Sequence, residues 1–228
     1  MQILRQLKDS KGRPMRLYLC RQDEKTLLFK EINDSKIIQY ELLVQKLAEK
    51  LSVRTLKLYS IQGKGILMDY HKDSILLCNY RHGLNPTQKR GLQRIVLLDL
   101  LIGNKDRHTA NIFVNEHLTA FDHDKILRDI ARPSSAFVKL DVGKKLDTDY
   151  LEKVEQILQK GNISTKTALL EYFGFNEEDI AMIKTLQDKE IALIVNSLRF
   201  SESEKKRIIS FLIYRRDNFD CSNWAHTP

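Results

Sequence analysis

The sequence predicts an α+β fold in two unequal parts: a β-rich front, residues 1–70, carrying one helix, and a mainly helical remainder, residues 71–228. Three observations lead there. Before residue 70 the apolar residues fall in short runs bounded by turn-forming residues, the mark of strands. After it they recur every three or four residues, the mark of helices with one buried face. Between the two regimes lies NKDRHTANIFVNEHLTAFDHD, a polar loop followed by a short hairpin pattern, within residues 103–125.

Residues 1–32 read as strands, with 16–20 (RLYLC) and 26–32 (TLLFKEI) separated by the charged turn RQDEK. Ile37, Tyr40, Leu43, Val44, Leu47, Ala48 and Leu51 then recur at helical spacing and predict a helix from 37 to 51. Residues 53–60 and 65–70 predict two more strands about a Gly63-Lys64-Gly65 turn. Asn85-Pro86-Thr87-Gln88 is a helix start: Asn caps, Pro occupies the first helical position, and Gln stands where a capping box requires it. That helix carries Leu92, Ile95, Val96, Leu98, Asp99 and Ile102 and stops at Gly103. A helical tail, 147–217, follows the hairpin, with segments at 150–158, 165–172, 177–184, 188–198 and 203–216, the last capped by Ser201 or Ser203.

At 228 residues, 42% hydrophobic and 30% charged, the chain has the composition of a globular protein with a full core. No apolar run approaches the ~18 residues that read as a membrane span, and MQILRQLKDSKGRPMR has no signal-peptide core, so cytoplasmic residence without membrane association is expected. Cys20, Cys78 and Cys221 lack both a disulfide pattern and metal-ligand spacing. The net charge of +8 is uneven: residues 1–140 hold ten more cations than anions, and 141–228 two more anions than cations. A basic front can draw in phosphates or an acidic surface, although solvated Lys and Arg explain it equally well. Aromatic-interleaved basic strands and zinc-finger spacing are both missing, so nucleic acid is not the expected partner.

The loop and hairpin carry the chemistry. If Glu116-His117 form a two-residue turn between 112–114 and 119–121, cross-strand partners sum to 233 and Asn111 faces Asp122. Partners at that position have Cβ atoms roughly 4.5–5.5 Å apart, close enough to share a cation. Asp106 lies in the loop feeding the first strand. An amide oxygen and a carboxylate on a metal, with a second carboxylate nearby, suit Mg²⁺-dependent phosphoryl transfer.

Asp106-Arg107-His108-x-x-Asn111 with the later Asp122 resembles the catalytic and metal-binding loops of the atypical kinases, among them the phosphatidylinositol 3- and 4-kinases and the bacterial HipA-like Ser/Thr kinases. IGNKDRHTANIFV is especially similar to the Ile-Gly-Asn-x-Asp-x-His pattern of the HipA-like group. The resemblance covers roughly residues 5–130 and implies a two-lobed kinase-like fold using ATP and Mg²⁺ on a Ser/Thr hydroxyl of a protein substrate, with an antitoxin-like or regulatory partner as an attendant expectation. It implies Asp106 as the catalytic residue that orients or deprotonates the acceptor, Asn111 and Asp122 as metal ligands, and Lys30 on the α/β-phosphates, fixed by Glu41. Ser10, beside Gly12 in the first hairpin region, would cover the phosphates and is a candidate autophosphorylation site. Met68-Asp69-Tyr70 would form the hinge against adenine, while Arg107 and His108 support the loop.

Rival readings stand beside these. Lys30 as a solvated strand end and Glu41 as an exposed helix charge are the plain alternatives, with Glu49 as a substitute for Glu41. Aminoglycoside and choline kinases share Asp-x-x-x-x-Asn but carry His where this chain has Asn104. Lipid or inositol kinases, and a nucleotide-binding pseudokinase regulator, are further alternatives. No Gly-x-Gly-x-x-Gly loop is present, and His123-Asp124 stand where typical protein kinases have Phe-Gly.

Overall fold

The computed structural model describes residues 1–8, 11–61, 64–70, 72–104, 107, 109–127, 130 and 177–217. The front is a five-stranded antiparallel sheet ordered β1-β2-β3-β5-β4, with β1 Gln2–Lys8, β2 Pro14–Gln22, β3 Lys25–Glu31, β4 Leu58–Ile61 and β5 Gly65–Asp69. The β2–β3 turn closes at Asp23 and Glu24, both at positive φ (49° and 65°), the backbone of a tight hairpin turn whose twist matches the strands. Helix α1, Ser35–Lys50, opens where the Asp34 carboxylate accepts from the Lys36 amide at 2.8 Å. It packs on one face of the sheet through Ile38, which shares a cluster with Leu28, Leu58, Ile66 and Met68.

Residues 53–57 do not continue into β4 as expected. Arg54 and Leu56 instead exchange backbone hydrogen bonds with Ala120 (3.0 and 3.3 Å), so the chain leans on the second sheet before entering the first. That second sheet, β6 Ile75–Leu76, β7 Ile112–Val114 and β8 Leu118–Ala120, contains the predicted hairpin. Helix α2, Pro86–Ile102, runs between the predicted limits: Asn85 and Gln88 form the capping box, and Gly103 ends it in the left-handed conformation (φ 61°). Helices α3 Glu177–Lys184, α4 Asp188–Asn196 and α5 Glu202–Asp217 complete the described chain. Ser201 caps α5, its hydroxyl 3.4 Å from the Glu204 amide while the Glu204 carboxylate accepts from the Ser201 amide at 3.1 Å. The larger core joins α1, α2, the hairpin and these helices. The segments expected at 150–158 and 165–172 lie outside the described residues. Among the described residues, no helix is long and apolar enough to cross a membrane.

Candidate active site

Side chains alternate across a strand, so Lys30 emerges on the same face of β3 as Leu28, the face against α1. There its ammonium contacts the Asp122 carboxylate and lies 3.6 Å from Glu41 Oε1. Glu41 is buried beneath α1, and its second oxygen lies 3.4 Å from His123 Nδ1. Four charged or polar groups from β3, α1 and the segment after β8 therefore meet at one point. Asp122 adopts φ 61°, the left-handed region that costs most residues roughly 1–2 kcal/mol but that Asp tolerates. There the chain leaves the ladder after β8 and presents the carboxylate to Lys30.

The charges tune one another. Burial opposes the Lys30 ammonium, yet the carboxylates of Asp122 and Glu41 outweigh it and hold its pKa above the ordinary lysine value. Burial also opposes ionised Glu41, but the His123 hydrogen bond and the charges of His123 and Lys30 keep its pKa below the usual carboxylate value. Asp124 is pushed up, first by burial and then by the charge of Asp122. Glu41, Asp122 and Asp124 thus place three carboxylates about Lys30, with Lys125 also acting on Asp124, and a further cation among them would relieve their mutual repulsion.

Asn111 does not face Asp122. The register pairs Ile112 with Ala120, Phe113 with Thr119 and Val114 with Leu118, so partners sum to 232 and Asn111 aligns with Phe121. The Phe121 amide donates to the Asn111 carbonyl at 3.1 Å. The shift arises in the turn: the Asn115 side chain accepts from the His117 amide at 2.9 Å, and the Asn115 amide donates to the His117 carbonyl at 3.0 Å. A three-residue Asx-type loop replaces the expected two-residue one. Asn111 is nonetheless buried, one strand across from the residue preceding Asp122.

Arg107 links α2 to the hairpin. Its guanidinium forms a bidentate pair with Asp99 of α2 (Nε to Oδ2 2.8 Å, Nη2 to Oδ1 3.0 Å) and donates from Nη1 to the carbonyls of Asn111 (3.1 Å) and Phe121 (2.8 Å). Asn104 Nδ2 completes the Asp99 shell at 2.7 Å. Both members of the pair are buried, and the fork ties the end of α2 to both arms of the hairpin.

Lys30, Glu41 and Asp122 are brought together as a group. Met68 sits inside the β5 ladder, opposite Leu28 on one side and Leu58 on the other, with its side chain in the core under α1. Tyr70 lies past the ladder and is 36% exposed. Ser10, Asp106 and His108 lie outside the described residues. Among the described residues, no three His, Cys, Asp or Glu side chains form a metal cluster. Asp99 and His123 hold the site together as well. Asp99 was signalled by its place as a single acid inside IVLLDLLI, and His123 by the charge-capable ring in the position after Asp122. A void of about 10 Å³, near the size one water needs, lies between Glu41, Met68, Phe121, Asp122 and His123.

Neither a protein-family model nor a curated protein matches the sequence. Among solved structures, a proinflammatory kinase of Helicobacter pylori, CtkA, superposes with a TM-score of 0.63 at 13% identity, over 99% of this chain and 94% of that one. A looser likeness, TM-score 0.48 at 14% identity, covers 96% of this chain and 66% of HipA from the Shewanella oneidensis MR-1 complex of HipA, HipB and operator DNA. The first likeness shows the fold, a two-lobed kinase-like α+β arrangement, and at that level bears out the resemblance carried by the loop segment.

Proposed function

We propose that this protein is a kinase that transfers the γ-phosphate of ATP to a hydroxyl, with Mg²⁺ as the ion and a protein Ser/Thr as the acceptor. The observation that carries the reading is Lys30. A strand lysine reaches past a buried helix glutamate to a carboxylate on the far hairpin, the contact expected where a nucleotide's phosphates are gripped from both sides. The shared fold supports the same class of chemistry.

In this reading Lys30 contacts the α/β-phosphates and Glu41 fixes its position. Asp122 and Asn111 hold Mg²⁺, which usually takes only one or two protein carboxylates and draws its remaining ligands from phosphates and water. In kind the donors suit such an ion, since a carboxylate and an amide oxygen are the hard oxygen ligands Mg²⁺ takes. When bound, the ion neutralises charge on the phosphates during transfer. Asp106 orients the acceptor hydroxyl and takes its proton. Tyr70, just past the end of β5, and Met68 within it would frame the adenine, and Ser10 would cover the phosphates. Alignment of the reactants and electrostatic stabilisation are most of what such a site supplies.

The test is incubation of the purified protein with γ-labelled ATP and Mg²⁺, alone and with cell extract. Label on the protein itself or on another protein supports the reading. Label on a lipid or a small molecule moves the acceptor class. Asp106→Asn should abolish transfer with ATP binding kept, and Asp122→Asn should remove the Mg²⁺-dependent part of that binding. Transfer at wild-type rate by both variants would sink the assignment.

A further inference from the structure

Helix α1 carries Glu41 on one side, turned towards Lys30 and His123. At 100° per residue, Lys36, Gln39, Leu43 and Lys50 project from the opposite half of the helix. Each of the three polar residues among them has a partner more than 130 positions later in the chain. Lys36 Nζ lies 2.6 Å from Glu204 Oε1 of α5, and Lys50 Nζ lies 3.0 Å from Glu190 Oε1 of α4. Between them the Gln39 side-chain oxygen accepts from the Arg199 amide at 2.8 Å, in the turn joining α4 to α5. The neighbouring Tyr40 ring packs on Phe200 with centroids 5.8 Å apart. Leu43 and Leu47, fully buried, belong to the core that takes in Ile191, Val195, Leu198 and Phe200.

The contacts are therefore spread over the first turn, the middle and the last turn of α1, all on its outer half. Two ion pairs alone would be weak, since exposed pairs are screened and entropically costly. The central grip is different: Gln39 and Phe200 are buried, so releasing them exposes an amide and an aromatic ring. A helix held at both ends and in the middle cannot roll or slide without breaking several contacts at once. Displacement of about 1 Å at a reacting group can cost two orders of magnitude in rate.

We propose that α4 and α5 act as a built-in positioning clamp, pressing α1 inward so that Glu41 stays against Lys30. Gln39, Tyr40 and Lys36 are then positioning residues, acting through Glu41 and touching no substrate. This proposal rests on the kinase reading for its catalytic consequence, while the mechanical grip is measurable without nucleotide.

The experiment combines Gln39→Ala/Tyr40→Ala with the series Lys36→Glu, Glu204→Lys and their double reversal, all in the full chain. Amide hydrogen exchange is followed across α1 and α2, and kcat and the ATP KM are measured well below the melting temperature. The clamp predicts at least tenfold faster exchange in α1 of Gln39→Ala/Tyr40→Ala with α2 unchanged, and at least a tenfold loss of kcat. It also predicts a several-fold loss in each single charge reversal that the double reversal restores. A packing role alone would lower the melting temperature and speed α1 exchange while leaving kcat at the wild-type value, and that result overturns the proposal. Should the wild-type protein transfer no phosphate, the kinase reading fails by itself. The exchange data then decide the clamp: faster α1 exchange sustains the grip, and unchanged exchange removes it.

Discussion

The Asp99 carboxylate accepts three hydrogen bonds from described residues and has no exposed surface, so its charge is balanced from within. Removing Arg107 would leave that charge buried without its counter-ion, a change that typically costs about 3–5 kcal/mol. For a chain of this size each kcal/mol shifts the melting temperature by roughly 2–4 °C. Arg107→Met should therefore lower the thermal midpoint by roughly 6–20 °C in a circular-dichroism melt, and a fall of less than about 2 °C would show that the fork does not hold the loop. His123 predicts a different pattern. Its Nε2 has no hydrogen-bond partner among the described residues, and an unsatisfied buried polar atom costs about 1–3 kcal/mol. His123→Phe removes that atom along with the contact to Glu41. Relief of the unpaired Nε2 offsets the weakened hold on Glu41, which keeps Lys30 as its partner, so stability should change little while the ATP KM increases several-fold. Loss of stability with unchanged KM would mean that the ring only fills space.

At the scale of elements, the join between β3 and β5 governs where Lys30 sits. Gly65 has φ 148°, and a Cβ there would fall 2.0 Å from the Lys30 carbonyl oxygen, so β5 must move if any side chain is added. Gly65→Ala should lower the thermal midpoint and, on the proposed function, weaken ATP binding with it, because the displaced strand neighbours Lys30. Gly91→Ala is the control: its Cβ meets Leu118 at an ordinary 3.5 Å inside α2, where Ala is the better helix former by about 1 kcal/mol. Equal behaviour of the two variants would refute the strand argument. What was legible in the sequence follows the same division. The limits of α2 were readable because Asn85, Gln88 and Gly103 act within a few residues of the ends they set. Lys30 and Glu41 were legible only through the family resemblance, which asks for a lysine at a strand end and a glutamate on the helix that follows. The hairpin register was missed by one because Asn115 closes the turn with its own side chain, a choice that competes with the shorter loop and leaves no trace in apolar pattern. The path of 53–57 was also misread, since β-prone residues do not say which of two sheets they will join. The grip of Arg199 and Phe200 on α1 could not be read locally, because its partners are about 160 positions apart.

For the whole molecule, the long-range pair at the start of α1 offers a titration. Lys36 and then the Ser201 hydroxyl pull the Glu204 carboxyl down to about 2. Its folded pKa is below the unfolded one, so its contribution to stability is present above the ordinary carboxylate value and is lost as pH falls towards about 2. A carboxyl-carbon NMR titration should place the Glu204 midpoint well below 4, and Lys36→Ala should return it towards the ordinary value of 4.5. A wild-type midpoint near 4.5 would show that the pair is not formed in solution. Nucleotide binding tests the joining of the two parts more broadly. Lys30 and Glu41 come from the front of the chain and Asn111 and Asp122 from beyond residue 100, so a ligand gripped by all four stabilises both parts at once. At a hundred times its dissociation constant a ligand adds about 2.7 kcal/mol to the state that binds it. For a chain of this length that is roughly 5–11 °C in a single unfolding transition. ATP with Mg²⁺ should produce that shift, ATP with chelator a smaller one, and Asp122→Asn should abolish the difference between them. Two separate transitions, only one of them moved by ATP, would place the nucleotide on one part alone and remove Asp122 from the site.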